Sequence, residues 1–344
     1  MKQQYPQHQK TFVLGYPGFF FHRCIGELVS QFEKSGLNIT KMICMRVSEV
    51  FAREHLENIN WDPEARTGWI PEVFGEKLPS EKWADYLASE PLVAMVVEGD
   101  DAVSKVLELT SKKELPFWVV ENERTTVYAS KSGWQAELDI DLWFRPVSFE
   151  EANAGKKVVF MLPKGEIHGP RREVEEVLKL DEYTYELTED LKDNFVMEHM
   201  SVFLIKPLAF RERCVGEILD AIEVNCFGLR GLKLVKKAEH PSRAWLTDSS
   251  SEIDGDDEYG VAVVVFGMKP CFKILPGDIK KIDHDNEVFE IGSDYLYLSD
   301  PGEDVLEAAA EFFDYGFTAW ACPGHSSLFG CIFEASFVGL VSLP

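Results

Sequence analysis

Two hydrophobic rhythms alternate along the chain, and the whole alternation occurs twice. Short apolar runs rich in β-branched and aromatic residues, Thr11–Leu14 and Ser201–Ile205, predict opening strands. After each comes a Pro and a polar turn, then a helical stripe. Ile25, Leu28, Val29 and Phe32 fall at helical spacing, as do Val215, Ile218, Leu219 and Ile222. Second strands are predicted over Ile39–Val47 and Leu229–Val235. Third strands over Leu92–Val97 and Val261–Phe266 are continuously apolar and flanked by Gly99 and Gly267, which marks them as central strands. Final strands, Thr126–Ala129 and Tyr295–Leu298, precede helices ending in Trp143-Phe144 and Phe312-Phe313. The order is βαββαβ with added helices, a ferredoxin-like α+β plan used twice.

The repetition is literal in places. Phe12–Leu28 reads FVLGYPGFFFHRCIGEL and Val202–Ile218 reads VFLIKPLAFRERCVGEI. At a constant offset of 190, Pro17, Arg23, Cys24, Gly26 and Glu27 match Pro207, Arg213, Cys214, Gly216 and Glu217. Near the end of each repeat the offset is 169, so the second repeat is shorter and the difference falls in loops.

Charge narrows the partners. Lys and Arg number 35 against 59 Asp and Glu, a net charge of −24, which disfavours nucleic acid as the main partner. The polar Met1–Lys10 gives no secretory signal, and no apolar run reaches the length of a membrane helix. The seven cysteines are scattered with no CxxC pair, which reads as reduced thiols in a cytoplasmic chain. Residues 147–200 read as a charged linker with one helix over Arg171–Leu180. The acidic stretch Asp248–Glu258 lacks the ligand order of a calcium loop and reads as a surface insertion. The apolar tail 321–344 is expected to cover a groove on its own domain or a partner.

Both repeats resemble nucleoside diphosphate kinase domains. The first carries the resemblance in TFVLGYPG, IGELVSQFEKSGLNITKM, VSEVFAREHL, PLVAMVVEG and AELDIDLWF, the second in VFLIKP, CVGEILDAI and DVLEAAAEFF. GDDAV and SDPGEDVLE are similar to the ciliary two-domain member of the family, here without its DM10 domain. The resemblance implies domains at 11–146 and 201–320.

It also implies a chemistry. The family passes a phosphoryl group through a histidine nucleophile. Carried onto this sequence, that position is Tyr128 in the first repeat and Tyr297 in the second, with Thr125 and Asp294 at the neighbouring Asn position. A phenol with a pKa near ~10 is a poor substitute for imidazole. The family's strand-one phosphate Lys is Tyr16 in the first repeat and is kept as Lys206 in the second; its clamp Arg aligns with Leu107, and Lys273 is the nearest candidate in the second. Ile167-His168-Gly169 matches the family's Ile-His-Gly but lies after the last helix, so His168 is expected to be a linker histidine. His55 is expected to be a packed or surface residue, and no histidine pair has metal-ligand or triad spacing.

The expectation is therefore a chain without catalytic residues or resident metal, not an enzyme. It would serve as a scaffold in the cytoskeleton, most specifically a ciliary or flagellar axoneme, with tubulin or other axonemal proteins as partners and without membrane. The alternative is a nucleoside diphosphate kinase or nucleotide sensor acting through the second domain, which would take Mg²⁺ and a nucleoside triphosphate, with Lys206 and Lys273 as the candidate nucleotide-binding residues.

Overall fold

The computed structural model describes residues 7–16, 23–45, 47, 49–59, 72–73, 76–77, 83–89, 91–111, 127–144, 200–240, 242–245, 258–268, 272–277, 290–299, 308–309 and 311–313. His168, the Arg171–Leu180 helix, most of Asp248–Glu258 and the 321–344 tail lie outside them. The chain divides into a first unit, Met1–Lys156 with Arg213–Asp220, and a second, Lys157–Glu212 with Ala221–Pro344.

In the first unit, β1 (His8–Gly15), α1 (Ile25–Lys34), β2 (Asn38–Met45), α2 (Glu49–Asn58), a short β3–β4 pair (Glu72–Val73, Glu76–Lys77) and α3 (Trp83–Ser89) come in turn. β5 (Leu92–Asp100), α4 (Ala102–Ser111), β6 (Val127–Ala129) and α5 (Gly133–Phe144) follow. The strands lie in the order β6-β1-β5-β2, all neighbours antiparallel, which is the expected ferredoxin-like α+β sheet.

Alternation along β1 decides what each face receives. Phe12, Leu14 and Tyr16 pack with Ala52 of α2, Trp83 and Leu87 of α3, and Leu142 and Trp143 of α5. Thr11 and Val13, also fully buried, point the other way, where α4 packs on β1. β5 is buried over Leu92–Val97 because it is central, with β1 and β2 on its two sides.

α1 buries Ile25, Leu28, Val29 and Phe32, the predicted stripe, worth about 1.5–3 kcal/mol for each side chain removed from water. Its C-terminus closes on Gly36, at φ +78°. The Gly36 amide donates to Glu33 O at 3.1 Å and the Leu37 amide to Phe32 O at 3.0 Å, the paired bonds of a Schellman motif. A Cβ at Gly36 would meet nothing within 4 Å, so the cost of a side chain there is backbone strain alone. Gly36→Ala should lower unfolding stability by about 1 kcal/mol, measured by urea titration; an unchanged midpoint would show that the left-handed residue is not required.

α7 (Val215–Asn225) begins in this unit. The Val215 and Gly216 amides donate to the Glu33 carboxylate, each at 3.0 Å, and Arg213 Nη1 donates to Glu33 O at 3.0 Å. A buried acid thus satisfies two orphan amides of a helix N-terminus, where negative charge is favoured. Burial holds the Glu33 carboxyl above the usual range, and the two amides oppose that shift. Arg23 and Arg213, matched in the repeat, both adopt a left-handed backbone, with φ of 57° and 56°.

In the second unit, β7 (Met200–Ile205), the short α6 (Pro207–Arg211), β8 (Cys226–Lys236), a 3₁₀ turn (Arg243–Trp245) and β9 (Tyr259–Met268) precede β10 (Lys273–Leu275), β11 (Glu290–Gly292) and β12 (Leu296–Leu298). Four of these strands lie in the order β12-β7-β9-β8, and β10 pairs with β11 in a separate parallel ladder. The final helix is described only at 308–309 and 311–312. Among the described residues, no helix is long and apolar enough to cross a membrane.

Candidate functional site

The two tyrosines stand at equivalent points of their sheets. β6 places Tyr128 opposite Leu14 on β1, and β12 places Tyr297 opposite Leu204 on β7. Leu14 and Leu204 are themselves related by the repeat, so the strand registers agree with the positions counted from sequence.

Around Tyr128 the first unit builds a closed polar network. α5 carries Gln135, Asp139 and Trp143 at i, i+4 and i+8, one stripe facing β1 and β6. Asp139 is fully buried and accepts four hydrogen bonds. On Oδ2 they come from Tyr128 Oη at 2.8 Å and Ser130 Oγ at 2.6 Å; on Oδ1, from Gln135 Nε2 and from Asn58 Nδ2 of α2, both at 3.0 Å. Burial pushes the Asp139 carboxyl up while the four donors pull it down. Burial, and then the Asp139 charge, drives the Tyr128 phenol well above its ordinary range, so it stays protonated and donates.

His55 of α2 completes the cluster. Its ring lies 5.4 Å from that of Tyr128 and 5.3 Å from that of Trp143, both edge-on. Trp143 Nε1 donates to His55 Nδ1 at 3.1 Å, so Nδ1 holds the lone pair and Nε2 the proton. Nε2 is buried without a hydrogen-bond partner, and burial pushes the imidazole pKa down to about 3. The packed reading of His55 therefore holds.

At the end of β1, Tyr16, the residue expected from sequence at the phosphate-lysine position, is 4% exposed and its ring lies 6.0 Å from that of Trp83. Trp83 in turn packs edge-on against Tyr86 at 5.4 Å. This end of the site holds aromatic rings where a phosphate cradle needs cations.

The second unit differs. Lys206 caps the end of β7 and is only 3% exposed, which rules out a surface lysine. Its Nζ donates to Ser293 O at 2.7 Å, and its amide to Tyr295 O at 2.8 Å. Asp294 sits in the same turn. Lys273 opens β10, exposed, opposite Glu290. The Ser293 amide donates to Leu275 O, so the β10 ladder adjoins the turn that holds Lys206, but the two lysines belong to different ladders.

Sequence reasoning missed Asp139 and the pairing of histidines. Glu54-His55 recurs as Glu239-His240. His240 lies 6.4 Å from the ring of Phe312, the counterpart of Trp143, and its Nδ1 donates to Glu311 O at 2.9 Å. The repeated dipeptide was the signal for the pair; the i, i+4, i+8 stripe ending in Trp143 was the signal for Asp139. Among the described residues, no group of three or more His, Cys, Asp or Glu could hold a metal ion.

A family model for nucleoside diphosphate kinase matches residues 9–149. A nucleoside diphosphate kinase of Bacillus licheniformis is 30% identical over 146 residues, 40% of this chain and 88% of its own length. One from Clostridium perfringens is 29% identical over 152 residues, 42% of this chain and 96% of its own. One from Methanobrevibacter smithii is 29% identical over 145 residues, 40% and 87%. A crystal structure of the Aquifex aeolicus nucleoside diphosphate kinase is 19% identical, with 40% of this chain and 94% of that chain covered and a TM-score of 0.32.

These relatives overturn the expectation that the chain is not an enzyme, since each carries the name of a kinase. The expectation rested on Tyr128 and Tyr297, single positions, whereas the similarity runs through the whole of residues 9–149.

Proposed function

Because this chain belongs to the nucleoside diphosphate kinase family, we propose that it handles nucleoside di- and triphosphates, and that it does so through the second of two tandem family domains. Lys206 carries this reading. It is a buried ammonium at the end of β7, held at the turn beside the strand of Tyr297. At the matching place in the first unit stands Tyr16. A fixed, partly desolvated cation balances phosphate charge far better than a mobile surface lysine. Mg²⁺ would arrive with the nucleotide phosphates as part of the substrate. The ciliary scaffold role expected from the sequence has no support in the relatives, whose names are those of kinases, and the reading passes to its alternative.

The test uses the full chain. Calorimetric titration with Mg·ATP and Mg·ADP should show binding that Lys206→Met weakens about ten- to hundred-fold, the worth of one charge-assisted hydrogen bond. Tyr16→Phe should leave binding unchanged. Transfer of the γ-phosphate from ATP to a second nucleoside diphosphate should fall with the same substitution. Equal affinity in the Lys206→Met chain, or no binding in the wild type at millimolar nucleotide, would overturn the assignment.

A further inference from the structure

Tyr128 and Tyr297 occupy equivalent points of their sheets but meet different chemistry. Tyr128 is 2% exposed, and its hydroxyl donates to Asp139 at 2.8 Å. The offset of 169 that carries Tyr128 onto Tyr297 carries Asp139 onto Ala308. The position that claims the first phenol thus holds no carboxylate in the second unit, and Tyr297 is half-buried where Tyr128 is sealed.

Lys206 stands on the same face as Tyr297. The lysine backbone is still extended and its amide donates to Tyr295 O, so the pairing of β7 with β12 runs on past Ile205 and puts Lys206 opposite Tyr295. Lys206 and Leu204, two apart, share a face, and Tyr297 lies opposite Leu204. Lys206 and Tyr297 are therefore diagonal neighbours, about 7–8 Å apart at the backbone, a gap that two long side chains and a phosphate between them can span. The first unit shows the same diagonal closed: Tyr16, at the place of Lys206, packs in one cluster with Leu14 and Tyr128.

Resting on the nucleotide reading above, we propose that Tyr297 is a phosphorylation site that the second unit fills from its own bound nucleotide, and that the phosphate then closes the site. The phenolic oxygen attacks the γ-phosphorus of a nucleoside triphosphate held at Lys206. A Tyr297 Oη–P bond forms, and the bond from the γ-phosphorus to the β–γ bridging oxygen breaks. The nucleoside diphosphate leaves with that electron pair, and the phenolic proton passes to water. Phosphoryl transfer runs through a loose transition state, in which positioning and charge stabilisation count for more than the strength of the nucleophile, so a phenol beside an ammonium suffices. A phenyl phosphate ester gives up its group slowly, so the mark stays. Its charge pairs with the Lys206 ammonium and fills the place of the γ-phosphate, so nucleotide handling slows as marked chains build up.

The experiment is mass spectrometry of the full chain after incubation with Mg·ATP, with calorimetric titration of Mg·ADP before and after. Phosphotyrosine should appear at Tyr297 and approach one per chain. Its rate should not change with chain concentration, because donor and acceptor share one unit. Lys206→Met should lose the mark together with nucleotide binding, and Tyr297→Phe should lose the mark. The marked chain should no longer bind Mg·ADP, and a tyrosine phosphatase should restore binding. Site mapping on the wild type decides the matter even where a variant fails to fold. A wild-type chain that binds Mg·ADP but gains no phosphate on Tyr297 overturns the proposal and leaves the nucleotide reading standing. A rate that rises with chain concentration, or a marked chain that binds Mg·ADP as before, does the same. A chain that binds no nucleotide at all takes down that reading, and the proposal with it.

Discussion

Replacing Asp139 with alanine is expected to lower unfolding stability by roughly 3–5 kcal/mol, a large share of the margin of an ordinary domain. The carboxylate is fully buried and is the common acceptor for Tyr128, Ser130, Gln135 and Asn58. Removing it strands the Tyr128 and Ser130 hydroxyls in the interior and takes the shared acceptor from the half-buried Gln135 and Asn58 amides. Asp139→Asn should recover part of the loss, because one amide oxygen still accepts while the amide nitrogen turns its own donors against two others. Tyr128→Phe removes one donor and leaves the rest of the network satisfied, so it should cost only about 1 kcal/mol. Urea unfolding followed by tryptophan fluorescence separates the three, since Trp143 lies on the same stripe of α5 as Asp139. A loss below about 1 kcal/mol for Asp139→Ala would mean that the network does not hold α2, α5 and β6 together.

The contrast between these substitutions shows what could be read from sequence and what could not. The strands and α1 were legible because hydrophobic periodicity is a local signal: alternation in β1 and the stripe Ile25, Leu28, Val29, Phe32 specify their own faces. The register of Tyr128 was legible because it could be counted from Trp143. Asp139 was not, because a polar residue on a helix reads as solvent-facing until its neighbours are known. Its burial depends on Asn58, more than eighty residues away in sequence. For Lys206 the burial was not legible either, because nothing local says that the Ser293 carbonyl returns to meet its ammonium. Gly26 and Gly216 were noticed as a repeat, but that their helices touch there is a tertiary fact.

Acid is expected to unfold the first unit through His55. The imidazole has its pKa pushed down from 6.5 to about 3 by burial, while in the unfolded chain it takes up a proton near 6.5. Between those values the unfolded state binds one more proton than the native state, so stability falls as pH falls. It drops by up to ~1.4 kcal/mol per pH unit across the window, on the order of 5 kcal/mol in all. The stabilising contribution is complete above pH 6.5 and gone near pH 3. Asp139 acts in the opposite sense, since its native carboxyl is raised and takes up a proton before the unfolded one does; acidification therefore favours the native state there and offsets part of the loss. His55→Phe isolates the histidine. Phenylalanine keeps a ring beside Tyr128 and Trp143 but leaves Trp143 Nε1 without its acceptor, a cost of about 1–3 kcal/mol that does not depend on pH. Urea unfolding at pH 8, 6, 5 and 4 should thus find the variant weaker than the wild type at pH 8, level with it near pH 5, and stronger at pH 4. Two stability curves that run parallel from pH 8 to 4 would show that His55 takes up its proton in the folded chain as readily as in the unfolded one, and that its burial does not control the acid limit of the fold.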